Sequence, residues 1–358
     1  MTRHRFLRLA AAALWLASAS AQQLSREQVR EIEKAVSEEM GKQKVPGMSV
    51  AVGKNLRLTW STGFGVADLE NSIPARASTV YRLGSISKPI TAVAVMQLAE
   101  AGKLDLDAPI QKYVPSFPEK PWPITPRLLL SHLSGIRHYG SVEEVNSTRH
   151  YTNLTEPLKI FAGDPLLFEP GAKYSYTTYG YNLLGAAVEG ASGMRFPVYI
   201  RERIFDPAGM RTARHDSVHD IIPNRARGYR KNLAGMIENC DLADTSNKIP
   251  GGGMVSTPDD LVKFAIAVMK GRLVKPETRD LMYTPAKTRD GKPIPYGLGW
   301  QIQESEGRKW VAHGGAQQGI STLLLTLPSE GFSVALMANL ERVTLAPLAR
   351  RIAGIVLR

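Results

Sequence analysis

The segment Leu83-Gly84-Ser85-Ile86-Ser87-Lys88-Pro89-Ile90 decides how we interpret the fold of this chain. A long apolar run follows it, over residues 90–98, and predicts a helix. Residues three apart share one face of a helix, so the Ser85 hydroxyl and the Lys88 ammonium would lie side by side at its first turn. Pro89 fits there because amide groups of the first turn have no intrahelical partner to lose.

This Ser-x-x-Lys pattern is a candidate nucleophile with its base. A serine hydroxyl attacks poorly until a neighbouring base takes its proton, and lysine can be that base only when burial or nearby positive charge lowers its pKa. A buried first helical turn supplies low dielectric and the positive end of the helix dipole. Taken alone, the pattern more often describes an N-capping serine beside a solvated lysine, so partners elsewhere in the chain must decide between the two interpretations.

Residues 1–21 have the organisation of a secretory signal peptide. Basic residues at positions 3, 5 and 8 precede an apolar core over residues 9–16, and Ala19-Ser20-Ala21 forms a small-residue cleavage site. The apolar core is shorter than the ~20 residues that span a bilayer. We therefore expect cleavage after Ala21, no stable membrane anchor, and a secreted or periplasmic protein; an uncleaved anchor is the alternative.

The composition is that of an ordinary globular protein. With 43% hydrophobic residues, residues 22–358 can bury a large core as one domain or as two closely packed lobes. The single cysteine, Cys240, excludes an internal disulfide, and the scattered histidines show no metal-ligand spacing, so we predict neither a metal nor a cofactor. The net charge of +12 comes from dispersed lysines and arginines, which favours a solvated surface over a nucleic-acid partner.

Both ends of the chain predict helix and strand together. Ser25 and Gln28 form a capping box before an amphipathic helix, and Thr257 caps another helix further along. Strands are predicted over residues 48–52, 56–60, 64–67, 309–312, 321–327 and 332–338, and a last helix from about residue 344. Between them, residues 128–132 indicate a short helix and residues 205–210 a turn.

These elements predict an α/β protein of the α+β type. Both chain ends would build one antiparallel sheet flanked by the terminal helices, with a helix-rich lobe inserted between them. The sheet lobe would comprise about residues 25–82 and 295–358, and the helical lobe about residues 83–294. Ser85 falls where the first strands give way to the inserted lobe, and clefts between lobes are common ligand sites.

Two further stretches can supply partners for Ser85. The first is Tyr174-Ser175-Tyr176-Thr177-Thr178, where the alternative is packing or surface aromatics. The second is His313-Gly314-Gly315-Ala316 at the end of a predicted strand. Paired glycines there let a substrate backbone approach exposed amide groups, although a simple strand-ending turn has the same pattern.

In this order, the three stretches resemble the motifs of the serine β-lactamase and penicillin-binding-protein superfamily. The pattern is similar to its class C-like branch, which has Tyr-x-Asn as the central motif and a His-x-Gly variant of the late one. The resemblance covers roughly residues 30–350, including Leu129-Leu130-Ser131-His132-Leu133-Ser134-Gly135-Ile136 and Tyr296-Gly297-Leu298-Gly299-Trp300. It implies the β-lactamase/transpeptidase fold and favours the catalytic reading of Ser85.

The resemblance also implies a role for each motif residue. Ser85 would attack a carbonyl and become acylated, while Lys88 and Tyr176 would share the general-base role, the tyrosine held near deprotonation by adjacent positive charge. The backbone amides of Ser85 and Ala316 would form the oxyanion hole. His313 would hydrogen-bond to Tyr176 or to a substrate carboxylate, with little charge at neutral pH.

One position departs from the β-lactamase pattern. Thr178 stands where those enzymes carry asparagine, and its short hydroxyl cannot replace an amide that both donates and accepts. A similar Tyr-Ser-Thr motif occurs in the LACTB-like branch. We therefore expect an exported hydrolase that cleaves an ester, a peptide (including D-amino-acid peptides) or a β-lactam-like amide. Its substrate would be a small molecule or a peptide, for example one derived from the cell wall. The alternative is a non-catalytic or single-turnover sensor of penicillins or wall fragments; the oligomeric state stays open.

Overall fold

The computed structural model describes residues 23–305 and 307–358. The predicted signal peptide, residues 1–21, lies outside the described residues. The α-helices are α1 (Arg26–Gln43), α2 (Ser87–Glu100), α3 (Pro126–Leu130), α4 (Val142–Val145), α5 (Thr178–Ser192), α6 (Phe196–Ile200), α7 (Asp206–Ala208), α8 (Ile249–Gly252), α9 (Pro258–Met269), α10 (Pro276–Met282) and α11 (Ala346–Val356). Short 3-10 turns cover Gly84–Ile86, Ile110–Lys112, Glu156–Ile160, Thr245–Lys248 and Pro328–Glu330, and a π turn covers Arg201–Phe205.

The strands form one main sheet and two small ones. They are β1 (Gly47–Lys54), β2 (Arg57–Asp68), β3 (Ile73–Pro74), β4 (Tyr81–Arg82), β5 (Arg214–His215), β6 (Tyr229–Lys231), β7 (Ile237–Asn239), β8 (Met254–Ser256), β9 (Gln301–Ser305), β10 (Arg308–Gln317), β11 (Ile320–Leu327) and β12 (Phe332–Ala338). The main sheet has seven strands in the order β3-β2-β1-β12-β11-β10-β9. Its pairs are antiparallel, and β1 from the start of the chain pairs with β12 from its end. The predicted antiparallel sheet made from both chain ends is confirmed.

The sheet is covered on both faces, as the alternation of its strands requires. Val50 and Val52 pack into a core with Ile32 of α1 and Ile352 of α11, so the terminal helices share one face. Ala51 points the other way, into a larger core that also contains residues of α2, α5 and α9. Among these helices, α9 contacts β1 and β12 directly although it belongs to the predicted helical lobe. The boundary between the two lobes stays a prediction.

The described helices begin where the capping residues indicated. Ser25 and Gln28 form both hydrogen bonds of the capping box, and the Thr257 hydroxyl accepts from the Asp260 amide. In the 3-10 turn just before α2, Gly84 has φ +53°, a conformation that favours glycine. Within the described part of the chain, none of the helices has the length and hydropathy of a membrane-spanning segment.

Three details of the predicted secondary structure are wrong. Residues 56–60 and 64–67 belong to one strand, β2, which is continuous because β1 pairs with it along its whole length through a single irregularity. Strand β9 was not predicted because its polar residues lie at the sheet edge, where one face is exposed. The predicted turn over residues 205–210 contains α7, which ends at Ala208 and is followed by Gly209 with φ +72°.

Candidate functional site

Ser85 and Lys88 meet at the N-terminal end of α2. Ser85 lies in the 3-10 turn Gly84–Ile86, half-buried, and Lys88 lies in the first turn of α2, where its side chain is fully buried. The Lys88 Nζ atom is 3.0 Å from the Ser85 Oγ atom. The sequence prediction that the two side chains lie together is therefore confirmed, with the serine one short turn earlier than a simple helix start would place it.

The surroundings of Lys88 favour an uncharged amine. Its other hydrogen-bond partners are the Thr178 hydroxyl, at 3.1 Å, and the Gly251 carbonyl, at 2.8 Å, both neutral acceptors. Burial, reinforced by the positive charge of Lys248, holds the pKa of Lys88 well below its ordinary value. A lysine in this environment can accept the proton of Ser85, which a solvated lysine cannot do at neutral pH.

Tyr176 completes a group of three side chains. Its hydroxyl hydrogen-bonds to Ser85, and its ring centroid lies 4.7 Å from Lys88 Nζ. Burial raises the pKa of the Tyr176 phenol above its ordinary value, and the Ser85 hydrogen bond only partly opposes this. The prediction that adjacent positive charge holds the phenol near deprotonation is wrong, because desolvation outweighs that charge and Lys88 is itself poorly charged.

Thr178 faces the lysine. It is 3% exposed and begins α5, where its amide donates to His138 Nδ1 over 3.2 Å and its side chain hydrogen-bonds to Tyr139. A Cβ on Gly251 would lie 2.5 Å from the Thr178 methyl, so the glycine leaves room for it. The structure thus shows Thr178 in contact with the Lys88 amine, and its contact with substrate stays a prediction.

The His313 side chain is held away from Tyr176. Its Nε2 atom lies 2.9 Å from the Tyr296 hydroxyl, and its Nδ1 atom lies 2.7 Å from the Gly314 carbonyl. The carbonyl can only accept, so Nδ1 carries the proton and Nε2 accepts from Tyr296. Burial lowers the pKa of His313 to about 3, which keeps the ring neutral. The predicted hydrogen bond from His313 to Tyr176 is replaced by one to Tyr296.

The end of β10 lies directly against the serine turn. A Cβ on Gly84 would lie 3.0 Å from the Ala316 amide nitrogen, and a Cβ on Gly315 would lie 2.1 Å from the Leu83 carbonyl oxygen. Thr322 of β11 fixes this contact, since its hydroxyl donates to the Leu83 carbonyl over 2.8 Å. Ala316 is exposed beside the half-buried Ser85, and its role as an oxyanion-hole donor stays a prediction.

Sequence reasoning missed two residues that shape this site. His132 lies beneath Tyr176, with ring centroids 4.3 Å apart, and its Nδ1 atom accepts from the Thr177 amide over 3.1 Å. Lys248 is 3% exposed, and its Nζ atom donates to the Val145 carbonyl over 2.9 Å. Burial, together with the charge of Arg82, lowers the pKa of Lys248 to about 8. His132 lies in a block noted for its resemblance, whereas no local pattern marks Lys248.

Comparisons with known proteins agree with this arrangement. The model of the family described as Beta-lactamase matches residues 32–357. The serine beta-lactamase-like protein LACTB, mitochondrial, of Bos taurus is 32% identical over 90% of this chain and 78% of its own length. A D-aminopeptidase of Gluconobacter oxydans (strain 621H) is 29% identical over 82% of this chain and 56% of its own. The octameric penicillin-binding protein homologue from Pyrococcus abyssi superposes with a TM-score of 0.81 at 28% identity, covering 92% of this chain and 77% of that one.

Proposed function

Because the chain belongs to the Beta-lactamase family, within the serine β-lactamase and penicillin-binding-protein superfamily, we propose that it cleaves an ester or amide bond through an acyl-enzyme on Ser85. Membership of this family makes it a serine hydrolase. The observation that carries the assignment of Ser85 is the buried Lys88 amine, 3.0 Å from the serine hydroxyl and otherwise bonded to neutral acceptors. A merely structural Ser-x-x-Lys pair would not need a lysine kept free of acidic partners.

Acylation then proceeds with Lys88 as the base. Ser85 Oγ attacks the carbonyl carbon while its proton passes to Lys88 Nζ, so the resulting tetrahedral intermediate carries its negative charge on the former carbonyl oxygen. The amides of Ser85 and Ala316 stabilise that oxygen, and one such donor contributes roughly 3 kcal/mol in other enzymes. The bond to the leaving group breaks as that group gains a proton.

Tyr176 supplies that proton in this mechanism. Its phenol is protonated because burial raises its pKa, and it hydrogen-bonds to Ser85 beside the point where the leaving group departs. Transfer of a proton from the protonated Lys88 to the Tyr176 phenolate then leaves both groups neutral, ready for deacylation. Deacylation is the same sequence in reverse, with water in place of the leaving group, and releases the acid and the free serine.

The substrate side of the site favours esters and peptides over β-lactams. His313 is neutral and bonded to Tyr296, so at this position of β10 no fixed positive charge meets the carboxylate that β-lactams carry. Thr178 hydrogen-bonds to Lys88 through its hydroxyl and has no side-chain amide to offer the substrate carbonyl. We therefore propose small esters and peptides, including D-amino-acid peptides derived from cell walls, as the substrate class.

A chromogenic short-chain ester tests the proposed function. Steady release of the chromophore over many turnovers, abolished in Ser85→Ala and unchanged in Cys240→Ala, is the expected result. A single stoichiometric burst without turnover would favour the alternative, a sensor that is acylated once. Turnover that persists in Ser85→Ala would overturn the assignment of the nucleophile.

We also propose that the protein is exported by its N-terminal segment. The basic, apolar and small-residue regions of residues 1–21 support this proposal, although the LACTB relative is described as mitochondrial. N-terminal sequencing of the protein recovered from a bacterial periplasm should begin at Gln22. Full-length protein retained in the cytoplasm would contradict export.

A further inference from the structure

Three possible metal ligands converge beside the Thr245–Lys248 turn, which Asp244 caps. One ring nitrogen each from His150 and His219, and one carboxylate oxygen from Asp244, all lie within 4.8 Å of one another. They come from three separated segments of the chain, which explains why no metal-ligand spacing exists in the sequence. The prediction of no recognisable metal site rested on that spacing.

Asp244 is the fixed member of the group. It is 4% exposed, its Oδ1 atom accepts from the Ser246 amide over 2.8 Å, and its own amide donates to the Ser147 carbonyl over 2.8 Å. These hydrogen bonds aim the other oxygen, Oδ2, at His150 Nδ1, 2.7 Å away. The carboxylate is thus held in place by the surrounding backbone, with Oδ2 directed at the histidines.

The two histidines are free to adjust. Both are exposed, and their rings meet edge to face with centroids 4.7 Å apart. Ligand atoms around a tetrahedral zinc ion lie roughly 3.4 Å apart, given zinc-ligand bonds of about 2.1 Å. The His150–Asp244 pair, at 2.7 Å, is closer than this and no separation in the group exceeds 4.8 Å, so enclosing an ion would require the exposed rings to rotate.

The group lies at a cavity of about 940 Å³. Both histidines line it, together with Asp216, Ser217 and Ser246. Ser85, Lys88 and Tyr176 do not line this cavity, so it is separate from the proposed catalytic site. An ion held by three protein ligands there would keep one coordination position open towards the cavity.

We propose that His150, His219 and Asp244 bind one divalent transition-metal ion of the zinc type. Imidazole nitrogen and carboxylate oxygen are ligands that Zn²⁺ accepts, and two histidines with one carboxylate leave a fourth position for water. The ion would tie together the segments that carry its ligands. It would also hold Asp244, which begins the turn that ends at Lys248 beside the catalytic lysine.

Titration with Zn²⁺ alone tests this site without recourse to catalysis. Protein freed of metal by chelation should bind one Zn²⁺ per chain by calorimetry and by elemental analysis after dialysis, and Co²⁺ should give the visible absorption of a tetrahedral complex. Loss of an outer-shell partner typically weakens metal binding 10–100-fold, so His219→Asn, which removes a direct ligand, should weaken it at least about tenfold. His215→Asn is the matched control, since His215 lines the same cavity outside the group.

Two results would overturn the metal site. The first is that Zn²⁺ does not bind stoichiometrically. The second is that His219→Asn binds Zn²⁺ as tightly as the unaltered protein does, which would mean that His150 and Asp244 form only a hydrogen-bonded pair. Because His219 is exposed, its substitution should not disturb folding, so a loss of Zn²⁺ binding would report on the ligand itself. Circular dichroism of each variant checks that the fold is retained. Because Zn²⁺ binding is measured directly, the outcome does not depend on the proposed hydrolase activity.

Discussion

At the scale of single residues, the site is built from a lysine and a tyrosine whose pKa values move apart. Burial lowers the pKa of Lys88 and raises that of Tyr176, which favours the neutral form of both groups. A neutral amine accepts a proton, and a neutral phenol donates one. The pair is therefore arranged for base catalysis by Lys88 and acid catalysis by Tyr176.

This assignment predicts the form of the pH dependence. Activity requires neutral Lys88, so kcat/KM should rise with pH through the lowered pKa of Lys88 and level off well below the ordinary lysine value of 10.5. It should fall again only in the alkaline range where Tyr176 loses its proton. A rise that instead follows deprotonation of the tyrosine would contradict the assignment.

The second buried lysine, Lys248, predicts a shift of that profile. Its positive charge helps to lower the pKa of Lys88, so Lys248→Met should raise the pKa of Lys88 and move the acid limb of kcat/KM to higher pH. The exposed Lys270 provides the matched control, Lys270→Met, whose profile should coincide with that of the unaltered enzyme. An unmoved acid limb in Lys248→Met would show that the two amines are not coupled.

Thr178 predicts a change in substrate preference. Thr178→Asn restores the amide found in β-lactamases and should raise the ratio of β-lactam to ester kcat/KM, by roughly tenfold or more for one substrate hydrogen bond. Thr178→Ser keeps the hydroxyl and should leave the ratio near its original value. Kinetics with one penicillin and one ester measure it, and no gain in Thr178→Asn would count against our account of this position.

At the scale of elements, the closest packing in the site joins β10 to the serine turn. A Cβ added at Gly315 would lie 2.1 Å from the Leu83 carbonyl oxygen and 2.2 Å from the Thr322 hydroxyl. Gly315→Ala should therefore destabilise the protein by about 1–3 kcal/mol, as overpacking does, and displace Ser85 from Ala316.

The neighbouring glycine supplies the control for stability. A Cβ at Gly314 would have its nearest neighbour, the Thr322 carbonyl oxygen, at 3.9 Å, so Gly314→Ala should unfold close to the temperature of the unaltered protein. Thermal unfolding followed by circular dichroism compares the two variants. Equal unfolding temperatures would mean that β10 and the serine turn can separate without strain.

Local sequence signals predicted helices and strands well where interactions between neighbouring residues determine the structure. The caps at Ser25 and Thr257 begin helices as expected, and the apolar run over residues 332–338 matches β12 residue for residue. Strand β9 and the continuous β2 escaped prediction because pairing with a neighbour, rather than their own sequence, stabilises them. Periodicity cannot reveal a partner that lies far away in the chain.

At the scale of the whole molecule, the features of the site that local motifs encode were predicted, and the features that depend on contacts between distant segments were not. Ser85, Lys88 and Tyr176 carry recognisable motifs, and the fold brings them together. The direction of the Tyr176 pKa and the contact of His313 with Tyr296 depend on burial, which arises only when distant segments pack. Those features required the three-dimensional structure.

The proposed metal ligands also could not be predicted from local sequence patterns. His150, His219 and Asp244 are brought together by the folding of three loops, without any local motif. The proposed cation site is lined by residues other than Ser85, Lys88 and Tyr176, so it is separate from the proposed catalytic centre.

The most direct test of the central claim is to locate the acyl group. Enzyme quenched during turnover of a slow ester should carry one acyl group by intact-mass spectrometry, and peptide mapping should place it on Ser85. Lys88→Met should form the adduct about 10²–10⁴-fold more slowly, the usual contribution of a general base. An acyl group found on any other residue, or an undiminished rate of adduct formation in Lys88→Met, would contradict the account.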